Sequence, residues 1–499
     1  MTQTARLSRQ TLSGLPPAIQ RPGFDPARLQ TGIVHLGIGA FARAHLAFYT
    51  QPLLASDPGW GIRGVSLRRA DTRDALAPQN WLYACAQRDG TGEQITIMAA
   101  LTGILVAPEN PAAGLQLLTN PAVRIVTLTV TEKGYCRDTA TGGLDESDPV
   151  IRNDLANPAA PASVLGLLVA ALAARRAAGT PPFTVLSCDN LPANGSTTRR
   201  VVSRFAALRD PALGDFIAEH VAFPSCMVDR IVPATTEQDR ARIETALGVA
   251  DAWPVICEPF RQWVIEDRFP HGRPTWEQTG AELVADVRPY EEMKLRLLNG
   301  SHSTIAYLGQ LAGSPTVADA LAQPTLRSHI AALMQEVEVT LHMPGGVDLR
   351  AYRRALLERF ANPALQHRTA QIAMDGSQKL PQRLFAPALD RLAAGQAAPR
   401  IALGVAAWLR FLRGEADDGS ALALDDPKSD RLREAARAAR DARALCDAIF
   451  TMPDIVPPAL AAHTAFTNEI VSALEDLATH GAKGALEIRH NSTGGITSC

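Results

Sequence analysis

The chain has 499 residues, 46% of them hydrophobic and 20% charged, with a formal net charge of -2. That length and composition give a globular protein with more than one core, and two domains is the natural division. The near-neutral balance excludes a nucleic-acid binder built on concentrated basic charge. The one Arg-rich stretch, Arg431 to Arg443, interleaves Arg with Ala and acidic residues and reads as a solvated helix face.

Seven cysteines (Cys85, Cys136, Cys188, Cys226, Cys257, Cys446 and Cys499) are scattered without a CxxC pair and are odd in number. They fit reduced thiols in a cytoplasm. The N-terminus lacks the apolar core of a secretion signal, and the longest apolar run, Val164 to Ala174, is too short to span a membrane. A soluble, cytoplasmic protein is expected, with neither membrane nor nucleic acid as a partner.

After a polar, Pro-rich arm of some twenty residues, Ile33 to Leu36 reads as a short buried strand. It runs into Gly37-Ile38-Gly39-Ala40-Phe41-Ala42, and Ala44, Phe48 and Leu53 then recur at roughly helical spacing. Further strand signals stand at Ile62 to Leu67, Arg124 to Val130 and Phe183 to Ser187, with a helix-like stretch at Ala159 to Ala178. The alternation predicts an α/β domain with a parallel sheet covered on both faces. From about Pro289 the texture changes to Ala/Leu/Arg-rich helical stretches: Ile330 to Leu341, Leu349 to Phe360, Ile401 to Arg413 and Asp430 to Phe450. The predicted division is a Rossmann-type domain over residues 1–285 and a mainly α-helical, substrate-binding domain over 286–499.

A GxGxxA turn between a first strand and a helix lets the backbone approach a pyrophosphate, whose charge meets the helix N-terminus. Gly37, Ile38, Gly39, Ala40 and Phe41 are therefore candidate contacts for a dinucleotide. An ordinary Gly-rich turn has the same pattern, and position is what favours the cofactor. Asp71, after the second strand, is the candidate acceptor for the adenosine ribose and points to NAD. Its distance from Gly39 requires a long first helix and loop, and neighbouring Arg68 and Arg69 suit a 2'-phosphate instead.

The segment Pro289 to His302 (PYEEMKLRLLNGSH) places Lys294, Asn299 and His302 at i, i+5 and i+8. At about 100° per residue they point along about 0°, 140° and 80°, with Glu291 near about 60°. Four polar groups then share one side of an apolar helix. Oxidising a secondary alcohol needs a base for the hydroxyl proton, and a desolvated lysine is suited to that. An amide such as Asn299 can steady the developing alkoxide, and His302 a neighbouring hydroxyl. On pattern alone, a surface Lys–Glu pair with a core histidine explains the segment equally well. Asn190, in Ser187 to Gly195 after a predicted parallel strand, is placed to offer a second amide. Metal-ligand spacing is absent from the chain.

These segments together resemble the mannitol dehydrogenase family, the polyol-specific long-chain dehydrogenases. The pieces that carry the resemblance are GIVHLGIGAFARAH, RIVTLTVTEKGYC, FTVLSCDNLPANG, CMVDRIVP, DAWPVICEPFRQWVIED, PYEEMKLRLLNGSHS and MDGSQKLPQR, spread over roughly residues 30 to 385. The resemblance implies a Rossmann-type first domain, a helical second domain, a substrate cleft between them, NAD as cofactor, no metal and a monomer more than an oligomer. It implies that Lys294 is the acid/base, that Asn190 and Asn299 form an oxyanion-stabilising pair, and that Glu291 relays the proton. His302, Asp229 and Lys379 would contact substrate hydroxyls, and Thr131, in the RIVTLTVTEKGYC segment, the cofactor.

Residues Asn362 to Arg383 look more like fructuronate reductases than mannitol dehydrogenases, with Gln371 where the mannitol enzymes carry an arginine. A uronate adds a carboxylate, for which Arg368 or Lys379 is the candidate partner. The expected reaction is NAD-dependent interconversion of a keto sugar acid and its alcohol, fructuronate and mannonate. Mannitol 2-dehydrogenase activity is the alternative within the family, and a non-catalytic NAD(H)-binding sensor the alternative outside enzymes.

Overall fold

The protein is described by a computed structural model covering residues 5–138 and 141–491. Cys499 lies outside the described residues. The other six cysteines are buried and form no disulfide. Among the described residues no helix is long and apolar enough to cross a membrane. The chain divides into two compact units, Met1–Arg288 and Pro289–Cys499.

In the first unit five parallel strands, β1 (Thr31–Leu36), β2 (Gly61–Ser66), β3 (Leu101–Val106), β4 (Ile125–Leu128) and β5 (Thr184–Ser187), lie in the order β3-β2-β1-β4-β5. This is the Rossmann order, and the direction of winding reverses beside β1, where such folds bind ligands. Alternation along the strands supplies both cores. Val34 and Leu36 of β1 and Val126 and Leu128 of β4 pack with Leu165 and Leu168 of the helix Val164–Ala177. Ile33 and Ile125 point the other way, into a cluster with Leu46, Tyr49 and Trp263. The helix expected from Ala159 starts at Val164, because the Ser163 hydroxyl accepts the Gly166 N–H and caps it there.

Several features differ from the sequence reading. The expected long first helix is two five-residue helices, Ala40–Ala44 and Leu46–Thr50, broken at His45 and followed by a 3-10 turn. Two small sheets were not expected from the sequence. One joins the hairpin Tyr83–Arg88 and Glu93–Met98 to Val255–Cys257, the other joins Cys226–Asp229, Gln262–Glu266 and Glu282–Val284. The N-terminal arm is not merely an arm: Leu7, Leu15 and Ile19 are buried against Ile95, Ile97 and Ile256.

The second unit has no strand among its described residues and is built of helices. The sequence signals at 330–341, 349–360 and 401–413 correspond to Pro324–Glu338, Leu349–Phe360 and Pro399–Phe411. The stretch 430–450 is two helices, Ser429–Ala438 and Ala442–Phe450, because Asp441 accepts the Ala444 N–H and starts a new one.

Two polar devices set the carboxyl ends of the strands. His35 on β1 is fully buried opposite Thr127 on β4, with Nδ1 2.8 Å from Thr127 Oγ1 and Nε2 2.8 Å from Thr129 Oγ1. The Asp189 carboxylate, just past β5, accepts the N–H groups of Val130 (2.8 Å) and Thr131 (2.9 Å) and the Tyr135 hydroxyl (2.7 Å). It thereby ties the end of β5 to that of β4 and holds Thr131 at φ 65°, ψ 165°, a conformation that costs a non-glycine residue about 1–3 kcal/mol.

Burial pushes the His35 pKa down from 6.5 to about 4. The folded state therefore resists protonation: the contribution of His35 is intact above about pH 6.5 and is lost as pH falls towards 4, at a cost of about 3 kcal/mol. In urea titrations the wild-type stability should fall more steeply between pH 7 and 4.5 than that of His35→Gln; equal slopes would show that the loss has another origin. Asp189→Ala removes the acceptor of three hydrogen bonds and should destabilise the first unit by about 2–4 kcal/mol. A change under 0.5 kcal/mol would mean that the strand ends are held by something else.

Candidate functional site

The glycine turn lies at the carboxyl end of β1. Gly37 has φ 90°, and a Cβ there would come within 2.2 Å of the Thr129 carbonyl oxygen, so only glycine allows β1 to pass this close to the segment after β4. Gly39 is exposed, and a Cβ on it would meet nothing nearer than the Gly37 carbonyl oxygen at 3.8 Å. The backbone there faces open space, as close approach of a pyrophosphate requires. The N–H groups of Gly37 and Ile38 are spent on the Val65 carbonyl and that of Gly39 on Gly37. The donors left for a ligand are those of Ala40 and Phe41 in the first turn, which have no intrahelical acceptor. The Ile38 side chain is buried where a Gly64 Cβ would be, so it packs on β2 and offers a ligand no side-chain contact.

Asp71 opens the helix Asp71–Leu76, five positions beyond the end of β2. It is exposed and pairs with Arg69 at 3.3 Å, while Arg68 is also exposed. Thr131 is exposed beyond the end of β4.

Asn190 is exposed immediately after Asp189, and Asp229, 6% exposed, ends the strand Cys226–Asp229. These two segments are stitched by Asn194, which sequence reasoning passed over. Its amide donates to the carbonyls of Cys226 (2.7 Å) and Asp189 (3.2 Å), and its oxygen accepts the Cys226 N–H (3.0 Å). An asparagine that saturates three backbone groups fixes where Asn190 and Asp229 emerge.

In the second unit, the helix Arg288–Met293, which carries Glu291, does not continue as an α-helix. Residues Lys294–Asn299 form a π-helical turn, and the Gly300 N–H bonds to the Leu295 carbonyl, five residues back. The α-helix resumes over Gly300–Leu311 with His302. Angles taken at α-helical spacing therefore do not hold through this stretch. At the wider π spacing Lys294 and Asn299 stand closer in direction around the axis than α geometry would set them. Lys294 is half-buried and Asn299 buried.

His302 is 7% exposed and lies between Phe360 (ring centroids 4.6 Å) and His367 (5.2 Å, edge-on). Its Nε2 is buried without a hydrogen-bond partner. Burial pushes the His302 pKa well down, and His367, Arg359, Arg383 and Lys294 push it further. The imidazole is thus neutral and has a ring nitrogen to spend on a ligand hydroxyl. Lys379 donates to the Met374 carbonyl (2.6 Å) and lies 3.7 Å from Asp375; burial and Arg383 lower its pKa. Arg368 is exposed at the start of the helix Thr369–Ala373, and it is the adjacent His367 whose ring meets His302. Lys294 and Arg383 lie near enough to His302 to act on its charge, and Arg383 also reaches the Asn299 carbonyl and, by repulsion, adds to burial in lowering the Lys379 pKa. His367 and Arg383 are members of this group that the sequence did not single out: their signal was only proximity to Arg368 and Lys379.

Residues 31–278 match the mannitol dehydrogenase Rossmann domain and residues 286–478 the mannitol dehydrogenase C-terminal domain. The chain is 49% identical over 421 residues to D-mannonate oxidoreductase of Escherichia coli (strain K12), covering 83% of this chain and 86% of that one. It is 39% identical over 493 residues to mannitol 2-dehydrogenase of Phaeosphaeria nodorum, covering 97% and 85%. Among solved structures, the Pseudomonas fluorescens mannitol 2-dehydrogenase in ternary complex with NAD and D-mannitol is similar with a TM-score of 0.85 at 37% identity, over 97% of this chain and 99% of that one. With both domains matched in order over most of its length, the chain belongs to the mannitol dehydrogenase family of oxidoreductases.

Proposed function

We propose that this polyol or sugar acid dehydrogenase interconverts a keto sugar acid and its alcohol, fructuronate and mannonate, with NAD and without a metal. The observation that carries the reading is the π-turn Lys294–Asn299 followed by a buried, neutral His302 whose Nε2 has no hydrogen-bond partner. The positive charges around that histidine suit a substrate bearing a carboxylate, and the 49% identity to a protein named D-mannonate oxidoreductase supports the same choice. A polyol such as mannitol is the second reading, supported by the likeness to the D-mannitol complex.

NAD fits the open backbone at Gly39, with the Ala40 and Phe41 N–H groups as donors to its pyrophosphate, Gly37 as the close-packed glycine, Thr131 at the neighbouring strand end and Asp71 for the ribose. Bound there, the nicotinamide supplies the hydride acceptor. In the oxidation direction the Lys294 amine takes the hydroxyl proton from the carbon that loses hydride, and Glu291 passes that proton onward. The Asn299 and Asn190 amides donate hydrogen bonds to the oxygen as negative charge grows on it. His302, Asp229 and Lys379 hold the remaining hydroxyls, and the carboxylate pairs with Lys379 or Arg368. In reduction the same groups act in reverse, with the Lys294 ammonium as proton donor.

Lys294→Ala should lower kcat by about 10²- to 10⁴-fold while NADH still binds in fluorescence titration; wild-type turnover in that variant would sink the mechanism. With NADH oxidation followed on fructuronate, tagaturonate, fructose and xylulose side by side, fructuronate should be fastest. Fructose faster than either uronate would replace the substrate by a polyol–ketose pair and leave the lysine chemistry standing.

A further inference from the structure

Among its described residues the second unit contains two π-helical turns, and they pack against each other. The first is Lys294–Asn299. The second, Pro381–Phe385, follows the helix Gly376–Leu380, and its closing Ala386 N–H bonds to the Pro381 carbonyl, five residues back. A π-turn inside an α-helix carries one residue more than the helix needs, so it persists only where its neighbours favour it over the regular α ladder.

Arg383 supplies a polar link between the turns. Arg383, on the second turn, extends Nη1 to the Asn299 carbonyl oxygen (3.4 Å) at the end of the first turn and to the Ser303 hydroxyl (3.1 Å) one helical turn on. In the opposite direction, the Arg383 carbonyl oxygen lies 2.9 Å from where a Cβ on Gly300 would be, so the two backbones touch at the residue that closes the first turn. Ser303 is 1% exposed, which gives that hydrogen bond little competition from water. Burial pushes the Arg383 pKa down to about 10, still charged at neutral pH.

We propose that Arg383 is a positioning residue for the reaction. By bridging Asn299 and Ser303 from the second π-turn it keeps residues 294–299 in the i→i+5 form that aligns Lys294 with Asn299. Without the bridge, relaxation towards α geometry would turn Lys294 relative to Asn299 and His302 by about 100°, one residue's worth of helix. This rests on the assignment of Lys294 as the acid/base, and the tests separate the two.

Arg383→Met should lower kcat about a hundredfold, the scale of a misplacement of about 1 Å, with a smaller change in KM and with NADH affinity and melting temperature near wild type. Arg383→Lys keeps the charge and can reach one acceptor, so it should recover part of the loss, and Ser303→Ala should reproduce part of it. If Arg383→Met does not fold, the kcat of Arg383→Lys and Ser303→Ala decides. Wild-type kcat within about threefold in the variants that fold, with Lys294→Ala inactive in the same assay, would overturn the role of Arg383 and leave the lysine mechanism intact. Loss of kcat in strict proportion to lost melting temperature or NADH binding would also overturn it, because the residue would then be only structural.

Discussion

The i→i+5 hydrogen bonding of residues 294–299 is the constraint on which the rest of the second unit's site depends. An α-helix through this segment would separate Lys294 and Asn299 by about 140° around the axis. The π-turn closes the gap by widening a single turn, with Gly300 giving way to the backbone of the opposing turn. The helix then resumes with His302 in its first turn, already buried. Lys294, Asn299 and His302 thus stand on one continuous helical stretch with a single backbone irregularity and no loop among them.

Electrostatics complements this geometry. Burial and the charges of Arg359, Arg383 and Lys294 hold His302 neutral, so its ring nitrogen is available for hydrogen bonding without adding a further positive charge. In the first unit the corresponding fixed points are neutral or fully satisfied: His35 between Thr127 and Thr129, Asp189 under Val130 and Thr131, and Asn194 across Cys226.

Much of this was legible in the sequence, for identifiable reasons. Ile33 to Leu36 followed by Gly37 and Gly39 carries the strand-and-turn signature because a strand buried on both faces is a continuous apolar run and the turn needs glycine. Leu349 to Phe360 was read to the residue because its apolar face follows helical spacing. The hairpin Tyr83–Arg88 and Glu93–Met98 was not signalled because Ala, Gln, Glu and Arg interrupt the β-branched run that marks the strands of the main sheet. The break at His45 was missed since helical spacing of Ala44 and Phe48 persists across it. The π-turn could not be read at all: Leu295, Leu297 and Leu298 satisfy an α-helix equally well, and what selects the wider turn is the packing of Arg383 from more than eighty residues away. Lys294, Asn299 and His302 were found by residue type, but their alignment belongs to tertiary structure.

The central claim, that the Lys294 amine itself exchanges the proton, is tested most directly by chemical rescue. Turnover of Lys294→Ala should rise with added small primary amines, and the rescued rate should increase with amine basicity at fixed steric size. Turnover in the variant that reaches the wild-type rate with no amine present would contradict it.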